Sequence, residues 1–312
     1  MSRNKRKRKK NKAKIRRQVK DSLFRFLFGE NKESLLQLYN ALNGTNYQDC
    51  SEMEIVTIEN AVYIVMKNDT AFIFAGVLSL YEHQSTKNGN MPVRFLIYLA
   101  EEYQKVIEQA RASLYGSRRI TLPVPKCIVF CNDKSETGED AEDAWEMCLS
   151  DAFTDKNEGT DIGIHPDVEV RVHVLNINYG HNKELMERCP LLEEYSHFVA
   201  VSREYLAKGL DGQEAYEAAI SYCIEHNILK NILTEKRSEV LGMLLEEFDK
   251  EKYERTLREE GREEGREEGR KEGLLSVLNG LVKDGILTLS EAASRASMTE
   301  ETYMKQVKAF DL

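Results

Sequence analysis

No stretch of this sequence stays apolar for the roughly 18 residues that a membrane-crossing helix requires. Its strongly basic opening is followed by no apolar segment of the kind a secretory signal carries. The expectation is a cytoplasmic protein without a membrane partner. Paired cysteines are also missing. The six cysteines (Cys50, Cys127, Cys131, Cys148, Cys189 and Cys223) are scattered and form no C-x-x-C pair. That argues against a zinc or disulfide framework and for reduced core thiols. A zinc hydrolase would need a His/Cys ligand cluster that this sequence does not assemble. Acids are absent from residues 1–20, which hold twelve Lys or Arg. Removing those twelve leaves 32 basic residues against 53 acidic, so the net charge of −9 conceals a basic arm on an acidic body. Such an arm is too charged and too poor in apolar residues to fold alone.

What is present is a chain with apolar residues enough for a core, 41% of the total, arranged in changing periods. Leu23, Phe24, Leu27 and Phe28, then Leu35, Leu36, Leu38, Tyr39 and Leu42, predict one helix broken at Gly29 and stopped at Asn43-Gly44. Strands are expected over Glu54–Met66, Thr70–Phe74 and Val77–Ser85, separated by turns at Asn68-Asp69 and Ala75-Gly76. Met91-Pro92 opens a helical pattern that runs to about Tyr115, with Asn90 placed to cap it. Two further strands are read over Pro125–Cys131 and Val168–Ile177. The acidic stretch Asp133–Glu158 between them reads as an insertion with one helix around Trp145. Helical patterns return over Lys183–Lys208 and Gln213–Phe248. This order gives an α/β domain, a mixed sheet flanked by helices.

The chemistry is concentrated around Asp69 and Glu82. Alternation in Val77–Ser85 puts Leu78, Leu80, Glu82 and Gln84 on one strand face, and Ser79, Tyr81 and His83 on the other. A glutamate that follows two leucines on a buried face is costly to desolvate unless something cationic meets it. If Thr70–Phe74 and Val77–Ser85 form a hairpin, Asp69 adjoins Glu82, and two carboxylates at a strand end make an oxygen-rich site for Mg²⁺ or Mn²⁺. Such an ion activates water and neutralises a phosphate under attack. Gln84 would orient the water or hydrogen-bond the phosphate; an amide does not titrate and cannot be the base. By spacing alone, an Asp in a turn and a Glu near a strand end are more often capping or solvent-facing residues than metal ligands.

Several blocks resemble one known family. They are Lys20-Asp21-Ser22-Leu23-Phe24, Met66-Lys67-Asn68-Asp69, Leu80-Tyr81-Glu82-His83-Gln84-Ser85-Thr86, Asn90-Met91-Pro92 with Arg94 and Tyr98, and Asn176-Ile177-Asn178-Tyr179-Gly180-His181-Asn182. Together they resemble the recombination-promoting nuclease/putative transposase (Rpn) family of the PD-(D/E)XK nuclease superfamily, over residues 20–210. The resemblance implies a restriction-endonuclease-like αβββαβ core. It also implies Mg²⁺-dependent endonuclease cleavage of DNA phosphodiesters and an association with recombination or transposition. Asp69 and Glu82 take the places of the acidic ligands, and Gln84 stands where the superfamily name has lysine. Asp21 matches an acid of the first helix, either a third acid of the site or the N-cap of a helix beginning at Ser22. Arg94 is placed to reach a phosphate or to form a salt bridge. His83, on the opposite face, is expected to be a packed histidine rather than a ligand. No organic cofactor is implied. The alternative is a catalytically inactive DNA-binding or assembly protein on the same fold.

The chain thus divides into a basic arm (1–19), a nuclease-like domain (20–210), a helical extension (211–257), a repeat (258–273) and a small helical segment (274–312). The arm would contact nucleic acid in a sequence-blind, salt-sensitive way. The repeat is three copies of Arg-Glu-Glu-Gly and one Arg-Lys-Glu-Gly. Its i,i+3 pairs favour a helix, and each glycine opposes one by about 1 kcal/mol relative to alanine. It reads either as a spacer or as a helix through which copies of the chain associate. Beyond it, Leu287–Ala293 and Met298–Met304 have the spacing of a degenerate helix-turn-helix, without the basic side chains that groove reading needs.

Overall fold

The computed structural model describes residues 23–29, 31–56, 70–153 and 166–310. Asp21, Asp69, the basic arm and most of the strand expected over Glu54–Met66 lie outside the described residues.

The helices α1 (Leu23–Phe28) and α2 (Lys32–Asn43) reproduce the expected break, and α2 ends at Gly44 in the left-handed conformation. Among the described residues six strands follow: β1 (Glu54–Ile55), β2 (Thr70–Phe74), β3 (Val77–Gln84), β4 (Val124–Cys131), β5 (Ala144–Cys148) and β6 (Arg171–Asn176). They form one mixed sheet in the order β1-β2-β3-β4-β6-β5. The β3, β4 and β6 trio is parallel, and the outer pairings are antiparallel. Helix α3 (Met91–Gln109) connects β3 to β4, as a parallel pair requires of its connection. The fold is α/β, an open sheet with flanking helices.

β2 and β3 form the expected hairpin, with Thr70 opposite Tyr81 and Phe74 opposite Val77. Its two-residue turn places both Ala75 (φ 48°) and Gly76 (φ 76°) in the left-handed region. That twist matches the strands, but it suits glycine and asparagine far better than alanine. Ala75→Asn is therefore expected to raise the unfolding free energy by about 0.5 kcal/mol, measurable from the urea midpoint.

Sheet alternation builds two cores. Phe72, Phe74, Tyr81 and Phe130 point to one face and pack with α1, α2 and the helices that follow the sheet. Ala71, Leu78, Leu80 and Val129 point to the other and meet Met91, Phe95 and Tyr98 of α3. The first face is closed by α4 (Lys183–Arg188), α5 (Pro190–Ala207), α6 (Gly212–Glu225), α7 (Lys230–Glu235) and the start of α8 (Arg237–Lys283). The first compact unit ends at Glu246 and a second begins at Glu247. In the second, Leu275 and Leu278 of α8 pack with Ala292 and Ala293 of α9 (Leu289–Arg295) and with Tyr303 and Val307 of α10 (Glu300–Ala309). Thr288 and Thr299 cap α9 and α10.

Four expectations are corrected. The segment around Trp145 is not a helix but the strand β5, paired antiparallel to β6 at the sheet edge, with Trp145 and Met147 against the second core. Helix α3 stops at Gln109, short of Tyr115, because the chain turns through Arg111 at φ 50°. The pattern over Lys183–Lys208 is two helices divided at Cys189-Pro190, since a proline cannot donate the bond that would continue the first. The pattern over Gln213–Phe248 is three helices, interrupted first where Asn227 and Leu229 take positive φ and again at Lys236. The Arg-Glu-Glu-Gly repeat lies inside the helical span of α8.

Candidate active site

In register across the parallel strands, Gln84, Cys131 and Asn176 mark one end of the sheet, the carboxyl ends of β3, β4 and β6. This is the end where open α/β sheets bind ligands. Glu82 lies one pleat inside it on β3, on the α3 face, and is only 4% exposed. The sequence alternation placed it there, following Leu78 and Leu80.

A carboxylate so deeply placed requires a cation. That cation is Arg94, in the first turn of α3, whose Nη2 donates to Glu82 Oε1. Arg94 Nε and Nη2 also donate to the Tyr98 hydroxyl, one helical turn on, at 3.1 and 2.7 Å. The Gln84 amide, turned so that both its ends are satisfied, accepts from Arg94 Nη1 at 3.1 Å and donates to the Thr86 carbonyl at 3.2 Å. One guanidinium thus meets both polar side chains that β3 presents on the α3 face. Arg94 and Gln84 are brought together with Glu82. The other sequence-predicted acids, Asp69 and Asp21, lie outside the described residues. Asn90 occupies the position before α3, but its side chain makes no capping bond. Tyr98, which the sequence offers only within the family-like block and without a role, joins the cluster through Arg94. The i,i+4 spacing from Arg94 to Tyr98 was the available signal.

As a metal site, the described donors are a carboxylate and an amide oxygen on one face, the oxygen chemistry that Mg²⁺ prefers. They supply one carboxylate, so a second must come from elsewhere. Among the described residues, no group of three or more His, Cys, Asp and Glu is gathered closely enough to hold an ion.

His83 points the other way. Its ring stacks on Phe24 at 5.0 Å, and the Tyr195 hydroxyl hydrogen-bonds its Nε2 at 3.0 Å. Burial pulls the imidazole down from 6.5 to about 4, Arg203 adds to the shift, and a hydrogen bond with Asn132 opposes it. A histidine kept neutral in the fold contributes stability above its unfolded pKa, and that contribution is lost as the pH falls through the folded value. Stability should therefore decline from pH 6.5 towards 4, with a shallower decline in His83→Gln, read from urea midpoints across that range.

The strand end is braced by asparagines. Asn176 is wholly buried and donates to the carbonyls of Glu136 (2.9 Å) and Glu142 (3.1 Å) while accepting from the Asn178 backbone (3.1 Å). Asn178 donates to the Asp133 carbonyl (2.9 Å) and accepts from Arg203 Nη1 (2.8 Å), and Arg203 also donates to the Asn132 carbonyl. The braced segment grips the loop after Glu82. The Lys87 N–H donates to Asp133 Oδ2 at 2.7 Å, and its ammonium pairs with Glu136 at 2.6 Å.

Among the described residues, no helix is long and apolar enough to cross a membrane. Comparison with protein families, with curated proteins and with solved structures yields no match to this chain.

Proposed function

We propose that this chain is a metal-dependent DNA endonuclease of the PD-(D/E)XK kind, similar to the Rpn family, with Glu82 and Asp69 as ligands of a Mg²⁺ ion. The observation that supports this most is the deeply buried Glu82 carboxylate at the carboxyl end of β3, beside Gln84 on the α3 face. Thr70, which follows Asp69 in the chain, is paired with Tyr81, which precedes Glu82. The hairpin is thus compatible with two acids meeting at one strand end. A bound Mg²⁺ would supply charge neutralisation and water activation for phosphodiester hydrolysis. Glu82 would hold it, Gln84 would orient water or a phosphate oxygen by hydrogen bonding, and Arg94 keeps both in place. The basic arm would add sequence-blind attraction to DNA.

The Glu82–Arg94 pair also supports a second reading, since a charge-balanced carboxylate serves equally as a structural tie in a DNA-binding or assembly protein that does not cut. Incubating the full chain with supercoiled plasmid and Mg²⁺ separates the two. Nicked or linear DNA with the wild type, and none with Asp69→Ala, supports the nuclease. DNA retained on the protein but left whole supports the second reading.

A further inference from the structure

The chain from residue 109 to residue 126, which joins α3 to β4, holds four cations (Arg111, Arg118, Arg119 and Lys126) and no acid. The chain beyond residue 20 is otherwise acidic, with 32 basic residues against 53. Among the described residues, none pairs with or accepts from the Arg111, Arg118 or Arg119 guanidinium. The Gly116 N–H donates to the Ser113 carbonyl at 3.1 Å, closing a turn whose central residues are Leu114 and Tyr115. Turn tips ordinarily carry glycine, asparagine or serine. Here Leu114 is 70% exposed and Tyr115 wholly so. Both ends of the connection are tied down. The N–H groups of Ala110 and Ala112 donate to the Val106 and Ile107 carbonyls, the Tyr103 hydroxyl donates to the Pro123 carbonyl at 2.8 Å, and the Val124 N–H donates to the Gly76 carbonyl at 2.9 Å.

An aromatic ring is thus held out in water, flanked in the chain by guanidinium groups that no described residue neutralises. Such groups take phosphate oxygens, and such a ring takes the face of an unstacked base. A duplex hides its base faces, so the tyrosine favours a single strand. An anionic membrane also attracts arginines, but its flat surface would meet the acidic body around them, which a thin strand avoids. We infer that residues 111–119 form a binding surface for single-stranded nucleic acid, with a base stacked on Tyr115 and backbone phosphates on Arg111, Arg118 and Arg119. Val124 pairs with Val77 and Cys131 with Gln84, so this surface adjoins the end of β3 opposite the candidate active site, about 23 Å along the strand. It stands apart from the nuclease reading.

The test is fluorescence anisotropy of a labelled oligothymidylate and a labelled duplex of equal length, each titrated with the full chain in EDTA. The basic arm contains no aromatic residue and supplies the same background to every variant. Tyr115→Ala should weaken the oligothymidylate complex about tenfold and leave the duplex complex unchanged, while Tyr115→Phe binds both like the wild type. Replacing Arg111, Arg118 and Arg119 together by Gln should lower the slope of log affinity against log salt by about 2 on the single strand. All these variants should melt with the wild type, because the substituted side chains are exposed. A Tyr115→Ala protein that binds oligothymidylate like the wild type, or that loses the duplex equally, overturns the inference. A salt slope unmoved by the arginine replacements overturns it too. So do phosphatidylserine vesicles that sediment the wild type and not Tyr115→Ala while the oligothymidylate complex is unchanged, since the occupant is then a lipid surface.

Discussion

Glu82→Gln should weaken Mn²⁺ binding by about a hundredfold or more, while lowering the metal-free unfolding free energy by about 3 kcal/mol. The substitution preserves volume and keeps an oxygen for the Arg94 bond, so the packing against α3 is undisturbed. It removes the charge that a divalent ion requires and leaves a guanidinium that is still 20% exposed and still bonded to Tyr98. Calorimetric titration with Mn²⁺ gives the first quantity and urea unfolding the second. Unchanged Mn²⁺ affinity would make the Glu82–Arg94 pair a structural tie and nothing more.

The second large effect lies at the other end of the same edge. Asn176→Ala should cost about 2 kcal/mol, because it removes donors from the part-buried Glu136 and Glu142 carbonyls and the acceptor of the buried Asn178 backbone N–H at once. Hydrogen exchange should quicken at residues 133–143, which Asn176 and Asn178 hold, before it quickens in the β3–β4 pairing. A loss below about 1 kcal/mol would mean that these carbonyls find other donors.

How far the sequence could be read follows from the range of each interaction. The faces of β3 were legible because alternation has a fixed period, so Glu82, Gln84 and His83 fall where the pattern puts them. The β2–β3 hairpin and the break between α1 and α2 were legible from turn residues close in the chain. β5 was not. Five residues in an acidic stretch become a strand because β6 offers its edge, a tertiary cause without a local period. The asparagine brace was equally hidden, since the bonds from Asn176 and Asn178 to the carbonyls of residues 133–142 join positions 34 to 45 apart. Arg94 was legible as a candidate, but its attachment to both Glu82 and Gln84 required knowing which side of β3 the helix covers. The long α8 shows the opposite case, in which glycines that argue against a helix lie within one.

The nuclease assignment is tested most directly by following supercoiled plasmid with the purified full-length protein in Mg²⁺, wild type beside Glu82→Gln, with both proteins confirmed folded by their melting curves. Nicked or linear DNA should accumulate with the wild type, stop on chelation, and form about a thousandfold more slowly with Glu82→Gln. Plasmid left whole by the wild type in Mg²⁺ and in Mn²⁺, or cut equally by both proteins, would contradict it.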